Sequence, residues 1–125
     1  MPDSRHILIV EDEMMIALHI EDTLGRLGHD VSTATTVAQA EHLLDRGTVD
    51  LAIVDYKLTD GNTEALMERL QVAGVPFIVC SGISEEEERQ KSRSETRFLS
   101  KPFSSDALID AVTALTCRAA ADELH

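Results

Sequence analysis

Three short runs of apolar residues constrain the fold of this chain more than any other feature of its sequence. The runs cover residues 7–10, 51–54 and 77–80 and are rich in Ile, Leu and Val. They lack the alternation of apolar and polar residues shown by a strand with one solvated face, which is typical of strands buried on both faces of a parallel sheet. Each run is about four residues long, whereas a membrane span needs roughly 20 apolar residues. We therefore expect buried strands and no membrane insertion.

Segments with the spacing of amphipathic helices separate these strands. Ala17, Ile20, Leu24 and Leu27 recur at steps of three or four residues, and Gly28 stands where a glycine would end the helix. The same spacing predicts helices over residues 37–44, 65–70 and 108–115. The sequence also predicts a weak second strand over residues 30–34 and a short fifth strand over residues 98–99. Residues 84–93 hold no aliphatic or aromatic side chain, so we expect a loosely held helix there.

This alternation of strands and helices defines the expected architecture. Five strands and five helical segments predict an α/β fold in which a five-stranded parallel sheet carries helices on both faces. A length of 125 residues favours a single domain. We expect its core over residues 5–118, followed by a short C-terminal tail.

The charge balance excludes several classes of protein. Lys and Arg total 11 and Asp and Glu total 23, which gives a formal net charge of −12. Such a domain repels nucleic acid and anionic lipid, so we expect no nucleic-acid partner. Cys80 and Cys117 are too few for a disulfide framework or a cysteine metal site, and no signal peptide opens the sequence. These features are typical of a cytoplasmic protein.

Polar residues of complementary chemistry follow four of the predicted strands. The first strand is followed by Glu11-Asp12, the third by Asp55, the fourth by Ser81 and the fifth by Lys101. Because ligands of open parallel sheets bind at the carboxyl ends of the strands, we expect these side chains at one edge of the sheet. Any one of them alone indicates only a turn or a helix cap, but the four chemical types together indicate a site.

The charges of these residues predict a metal ion and a reaction. Three carboxylates against one ammonium leave excess negative charge at the edge, which is costly where water is partly excluded. Mg²⁺, or a similar hard ion such as Mn²⁺, would balance that charge and suits oxygen ligands. A carboxylate nucleophile at Asp55, the ammonium of Lys101 and the hydroxyl of Ser81 are then the groups that phosphoryl transfer to an aspartate requires. The sequence therefore predicts a phospho-aspartate at Asp55.

These motifs closely resemble the receiver domain of two-component response regulators, over essentially residues 5–117. The resemblance rests on an apolar strand followed by Glu11-Asp12, a second ending in Asp55, the pair Ser81-Gly82, and Lys101-Pro102-Phe103, in that order. It implies a flavodoxin-like receiver fold with the strand order 2-1-3-4-5. It also implies that a histidine kinase or a histidine phosphotransfer protein donates the phosphoryl group to Asp55 in a Mg²⁺-dependent reaction.

The resemblance implies a role for each site residue. Asp12 and Asp55 would bind the metal directly, and the backbone carbonyl of Lys57 would complete the protein ligands. Glu11 would act mostly through water. Lys101 would neutralise an oxygen of the phosphoryl group.

A phosphorylation switch is implied as well. Ser81 would move toward the phosphoryl group while Phe98, on the fifth strand, turns inward. The surface of the fourth helix, the fifth strand and the fifth helix would then bind a downstream protein that the sequence does not identify. The segment 84–93 would gain order on phosphorylation. The resemblance further implies a cis peptide bond between Lys101 and Pro102.

Other functions are disfavoured or stay open. The domain would not be an enzyme beyond assisting its own phosphorylation and dephosphorylation. The absence of Trp, the single Tyr and the acidic first loop disfavour a flavodoxin-like redox carrier, and Lys57 stands where a phosphohydrolase would need a second aspartate. Besides a stand-alone regulator, two alternatives remain: a receiver-like scaffold that signals without phosphate, and a receiver fragment of a longer regulator or hybrid kinase.

Overall fold

A parallel sheet with helices on both faces organises the structure, a computed structural model that describes residues 5–58, 61–81, 97–101 and 103–123. Its strands are β1 (His6–Val10), β2 (Asp30–Ala34), β3 (Leu51–Asp55), β4 (Lys57–Leu58), β5 (Gly61–Asn62), β6 (Phe77–Ser81) and β7 (Arg97–Ser100). Its described helices are α1 (Met14–Arg26), α2 (Val37–Arg46), α3 (Glu64–Ala73) and α4 (Ser105–Glu123). The main sheet has the order β2-β1-β3-β6-β7, and every neighbouring pair in it is parallel.

The predicted α/β fold with a parallel sheet is confirmed. The apolar runs at residues 7–10, 51–54 and 77–80 lie within β1, β3 and β6, and the short strand expected at residues 98–99 lies within β7. The main sheet follows the expected order 2-1-3-4-5 once the antiparallel hairpin of β4 and β5 is set aside. The sequence did not predict that hairpin, because residues 60–62 indicate only a turn. The helix expected over residues 84–93 lies outside the described residues.

Apolar side chains cover both faces of the sheet, which explains the unbroken apolar runs. All five residues of β3 are buried. Ala52 and Val54 pack in one cluster with residues of α2 and α3, whereas Leu51 and Ile53 pack in the opposite cluster with residues of α1 and α4. Because successive residues of a strand point to opposite faces, a strand covered on both sides is apolar throughout. Each buried aliphatic side chain stabilises the fold by about 1.5–3 kcal/mol, so the sheet is a rigid support for its edge.

Two glycines allow the chain to turn after helices. Gly28 follows α1 with φ of 92°, and Gly74 caps α3 with φ of 76°, a left-handed conformation that glycine adopts without steric penalty. The N–H of Gly74 donates to the carbonyl of Gln71 at 3.1 Å, so the last turn of α3 is closed. The position of Gly28 matches the helix end predicted from the sequence. Within the described ranges, no helix has the length and apolar character needed to cross a membrane.

Candidate functional site

The carboxyl edge of the sheet brings together the charged residues predicted for the site. Val10 of β1 pairs with Val54 of β3, so Glu11 and Asp55 come next to each other at the ends of adjacent strands. Lys101 directly follows β7, which is the second strand along from β3. The parallel register therefore assembles side chains that lie up to 90 positions apart in the sequence.

Three carboxylates form a cluster at this edge. Glu11, Asp12 and Asp55 each offer an oxygen that lies within 4.8 Å of the other two, a spacing at which one metal ion could contact all three. Glu11 is 2% exposed and Asp55 is 8% exposed, whereas Asp12 is half-buried. Carboxylates so close together repel one another, and burial strengthens the repulsion because water screens them less.

Lys101 is the cation within this cluster. Its Nζ lies 3.0 Å from Oε1 of Glu11 and 3.0 Å from Oδ2 of Asp55, so one ammonium bridges two carboxylates. The Lys101 side chain is 22% exposed, and these contacts are therefore only partly screened by water. One ammonium against three carboxylates leaves the described part of the site with excess negative charge.

The pKa values of the two bridged groups Glu11 and Lys101 reflect their burial and the charges around them. Burial raises the pKa of Glu11 from 4.5 to about 7, and the charge of Asp55 adds to that increase. The hydrogen bonds that Glu11 accepts from Lys101 and from the N–H of Glu13 only partly oppose it. Burial alone would lower the pKa of Lys101, but its hydrogen bonds to Glu11 and Asp55 raise it above the usual value. The lysine therefore stays charged, while Glu11 takes up a proton more readily than an exposed glutamate.

A buried cysteine lies beside the cluster without joining its chemistry. Cys80 pairs with Asp55 across β6 and β3 and is 1% exposed. Burial raises the pKa of the Cys80 thiol to about 12, so the thiol remains protonated and unreactive. Cys80 therefore packs as a small apolar residue, as its sequence context indicates.

Several residues predicted for the site have backbone positions at this edge. Lys57 lies in β4, two residues beyond Asp55, and Ser81 ends β6. Phe98 lies in β7, opposite Val79. The roles predicted for the side chains of Ser81 and Phe98 fall outside the described side chains, and Pro102, with its expected cis bond, falls outside the described residues.

Thr63 and Tyr56 are parts of the site that sequence reasoning missed. Thr63 is 0% exposed, and its hydroxyl donates to the carbonyls of Asp55 and Tyr56 at 2.8 and 3.0 Å. The Tyr56 hydroxyl donates to Oε1 of Glu64 at 2.8 Å. A threonine just before a helix usually indicates an N-cap, so the pattern gave no sign of a contact with Asp55.

His19 on α1 contacts the segment that follows Lys101. Its ring stacks on that of Phe103 with centroids 5.9 Å apart, and its Nε2 forms a hydrogen bond with Oγ of Ser105 at 2.9 Å. The sequence predicts no role for His19, because an isolated histidine on a helix shows no spacing that predicts a partner. The contact ties α1 to the start of α4.

The fold and the site define a receiver domain, and the chain belongs to the response regulator receiver domain family, whose sequence model matches residues 7–113. It is similar to the sensor histidine kinase RcsC of Salmonella typhi, with 26% identity over 85% of this chain and 12% of the kinase. It is also similar to the swarming motility regulation protein RssB of Serratia marcescens, with 29% identity over 92% of this chain and 54% of RssB. The chain thus spans between 12% and 54% of the length of these relatives.

The chain is also similar to a solved structure along most of its length. The solution structure of SdrG from Sphingomonas melonis Fr1 is 35% identical and superposes with a TM-score of 0.76. The match covers 92% of this chain and 98% of SdrG. The similarity therefore extends over nearly the whole of both chains and includes both the sheet and the helices around it.

Proposed function

We propose that this receiver domain accepts a phosphoryl group on Asp55 and uses it to change a protein-binding surface. The observation that carries the proposal is the bridge from Lys101 Nζ to both Asp55 and Glu11, at 3.0 Å each, at the carboxyl edge of the sheet. It places the positive charge needed to neutralise a phosphoryl group against the carboxylate that would receive it. General phosphoryl acceptance by the receiver family supports this assignment.

The carboxylate cluster suits Mg²⁺ or Mn²⁺. Three hard oxygen donors lie within 4.8 Å of one another, and the single ammonium of Lys101 leaves them with excess negative charge. Asp12, Asp55 and the backbone carbonyl of Lys57 would hold the ion, with Glu11 acting through a bound water. When bound, the ion would neutralise charge on the oxygens of the transferred phosphoryl group.

The transfer needs a nucleophile and a donor. A carboxylate oxygen of Asp55 attacks the phosphorus of a phosphohistidine, and the new O–P bond forms as the P–N bond breaks. The electron pair of the broken bond returns to the donor imidazole, which is then protonated by solvent. The ammonium of Lys101 stays next to Asp55 and neutralises negative charge on the transferred phosphoryl group. The hydroxyl of Ser81 donates a hydrogen bond to a phosphoryl oxygen.

The donor and the output are proteins. We assign the donor as a histidine kinase or a histidine phosphotransfer protein, since sensor kinases and regulators are among the relatives. Movement of Ser81 and Phe98 would change the surface formed by residues 84–93, β7 and α4, which binds a downstream protein. In this proposal the phosphodonor is the only substrate of the domain. The domain acts in the cytoplasm.

The natural protein is either a stand-alone regulator or a longer one. The matched relatives extend well beyond the receiver region, which favours a receiver fragment of a longer regulator or hybrid kinase as the second candidate. The almost complete coverage of SdrG favours the stand-alone form. In both cases residues 1–125 act as one receiver domain with the same site.

Intact mass after incubation with acetyl phosphate and Mg²⁺ tests the proposal. We expect a single phosphoryl adduct on the wild-type chain, none on Asp55→Asn, and none when a chelator removes the metal. Asp50→Asn is the matched control, because Asp50 is an exposed aspartate just before the same strand, at the opposite edge of the sheet. An adduct on Asp55→Asn would overturn the assignment. No adduct on the wild type, either with acetyl phosphate or with phosphorylated histidine phosphotransfer proteins, would favour a phosphate-independent scaffold.

A further inference from the structure

Thr63 connects the start of α3 to the end of the strand that carries Asp55. It is fully buried, and its single hydroxyl hydrogen is shared between the carbonyl oxygens of Asp55 at 2.8 Å and Tyr56 at 3.0 Å. Its backbone N–H also donates to the Tyr56 carbonyl at 3.1 Å. Thr63 therefore forms hydrogen bonds with the backbone carbonyl of the proposed phosphoacceptor and with that of the next residue.

The position of Thr63 makes these contacts unusual. Thr63 is the N-cap residue of α3, yet its side chain forms no capping hydrogen bond. Thr36, the N-cap residue of α2, behaves in the usual way and accepts a hydrogen bond from the N–H of Gln39 at 3.1 Å. The hydroxyl of Thr63 thus does not cap the first turn of α3. It donates instead to backbone carbonyls at the end of β3.

The turn after Asp55 is held from two directions. On one side, the N–H of Tyr56 donates to the carbonyl of Cys80 at 3.1 Å, which ties the turn to β6. On the other side, Thr63 and the bond from the Tyr56 hydroxyl to Glu64 tie it to α3. The chain then continues directly into Lys57, whose carbonyl is a proposed ligand of the metal.

We propose that Thr63 is a positioning residue for the phosphoacceptor site. Its hydroxyl fixes the carbonyls of Asp55 and Tyr56, and this sets where the Asp55 carboxylate and the following backbone lie relative to Asp12 and the metal. The inference rests on the proposed function of Asp55. Thr63 itself touches neither the metal nor the phosphoryl group, so its effect is on how well the ligands are arranged.

Metal affinity is the measurement that separates positioning from stability. Tyr56 is the only tyrosine of the chain, which has no Trp, and it directly follows Asp55, so tyrosine fluorescence reports on the site as Mg²⁺ is added. Thr63→Val keeps the shape of the side chain and removes the hydroxyl. Losing one hydrogen bond of ordinary strength should raise the dissociation constant for Mg²⁺ about threefold to tenfold. Thr63→Ser, which restores the hydroxyl, should return it to within about twofold of the wild type.

Thr23→Val is the matched control. Thr23 is also a buried threonine whose hydroxyl donates to a backbone carbonyl, that of His19 at 2.8 Å, but within α1. We expect Thr23→Val to lower the melting temperature without changing Mg²⁺ affinity. Folding of each variant is checked by circular dichroism, and Thr63→Ala replaces Thr63→Val if the valine variant does not fold.

The outcomes separate this inference from the proposed function. Unchanged Mg²⁺ affinity in folded Thr63→Val, or equal weakening by Thr23→Val, would overturn the positioning role. Failure of Thr63→Ser to recover affinity would also overturn it, because the hydroxyl would then not be the active group. If the wild-type chain neither binds Mg²⁺ nor forms an adduct on Asp55, it is the proposed function that fails.

Discussion

The two edges of the sheet differ in how their charged groups are buried and paired. At the amino edge, Oδ2 of Asp50 accepts a hydrogen bond from the N–H of His6 at 2.8 Å, and Nδ1 of His29 accepts one from the N–H of Arg5 at 3.1 Å. Asp50 is exposed, so water also screens its charge. At the carboxyl edge, Glu11 and Asp55 are buried and share a single lysine.

This difference indicates which edge serves the fold and which serves the reaction. At the amino edge, side chains of Asp50 and His29 accept hydrogen bonds from the backbone of residues 5–6, and these bonds fix how β1, β2 and β3 enter the sheet. The carboxyl edge keeps an excess of buried negative charge, which reduces the free energy of unfolding unless a cation joins it. A site that binds an ion and a phosphoryl group gains affinity from this arrangement, because the ligand relieves the repulsion.

Removing the cation of the carboxyl edge should have the largest effect. Lys101→Met leaves Glu11 and Asp55 buried without their shared ammonium, and the free energy of unfolding at pH 8 should fall by about 3 kcal/mol. Urea denaturation without divalent ions measures this change. Added Mg²⁺ should recover part of the loss, because it supplies the missing positive charge.

An exposed ion pair provides the control for that substitution. Arg26 and Asp22 form a pair one helical turn apart on α1, with side chains 78% and 63% exposed. Arg26→Met should lower the free energy of unfolding by no more than about 0.5 kcal/mol, with no response to Mg²⁺. Equal losses in the free energy of unfolding for the two substitutions would mean that repulsion between the carboxylates does not destabilise the carboxyl edge.

The pH dependence of stability should show the same repulsion at Glu11. Folding raises the pKa of Glu11 from 4.5 to about 7, so between these values the folded state binds more protons than the unfolded state. The contribution of Glu11 to the free energy of unfolding therefore decreases as the pH rises from about 4.5 to about 7, by about 3 kcal/mol in total. Below this window the contribution is constant, and above it the full penalty applies.

Comparison of the wild type with Glu11→Gln isolates this contribution. The two proteins differ only at this side chain, so the difference between their stability curves reports on Glu11 and its interactions. We expect Glu11→Gln to be the more stable of the two above pH 7, and the difference to shrink toward pH 4.5. A difference in stability that does not change with pH would show that burial does not disfavour the charged form of Glu11. The carboxyl edge would then not differ from the amino edge in its buried charge.

The sequence predicts the fold and the location of the site because both depend on simple patterns. Unbroken apolar runs require a sheet covered on both faces, and the parallel arrangement then carries Glu11, Asp55 and Lys101 to one edge. The sequence predicts that Lys101 lies beside the carboxylates, whereas its bridge to both Glu11 and Asp55 is a finding of the structure. None of these steps needs the exact path of a loop.

The remaining features depend on loop paths and on side-chain choices that no pattern encodes. The hairpin of β4 and β5 forms from residues that indicate only a turn. The hydroxyl of Thr63 could cap α3 or turn back toward Asp55, and only the position of the preceding loop decides between them. The contact of His19 with Phe103 likewise depends on how α1 packs against the start of α4, across more than 80 residues of sequence.

Mutation of the amino edge should have a smaller effect than mutation of the carboxyl edge, and it should change stability alone. Nδ1 of His6 faces the carbonyl of Thr48 and must therefore donate, while Nε2 forms a hydrogen bond with Oγ of Ser32 at 2.8 Å. His6→Ala removes both bonds, and because these polar groups are partly accessible to water, the free energy of unfolding should fall by only about 1 kcal/mol. Mg²⁺ affinity and the yield of the Asp55 adduct should remain at wild-type values in the same preparation. A loss of metal affinity in His6→Ala would mean that the two edges are coupled through β1, and the division between an edge that holds the fold and an edge that binds the ligand would have to be given up.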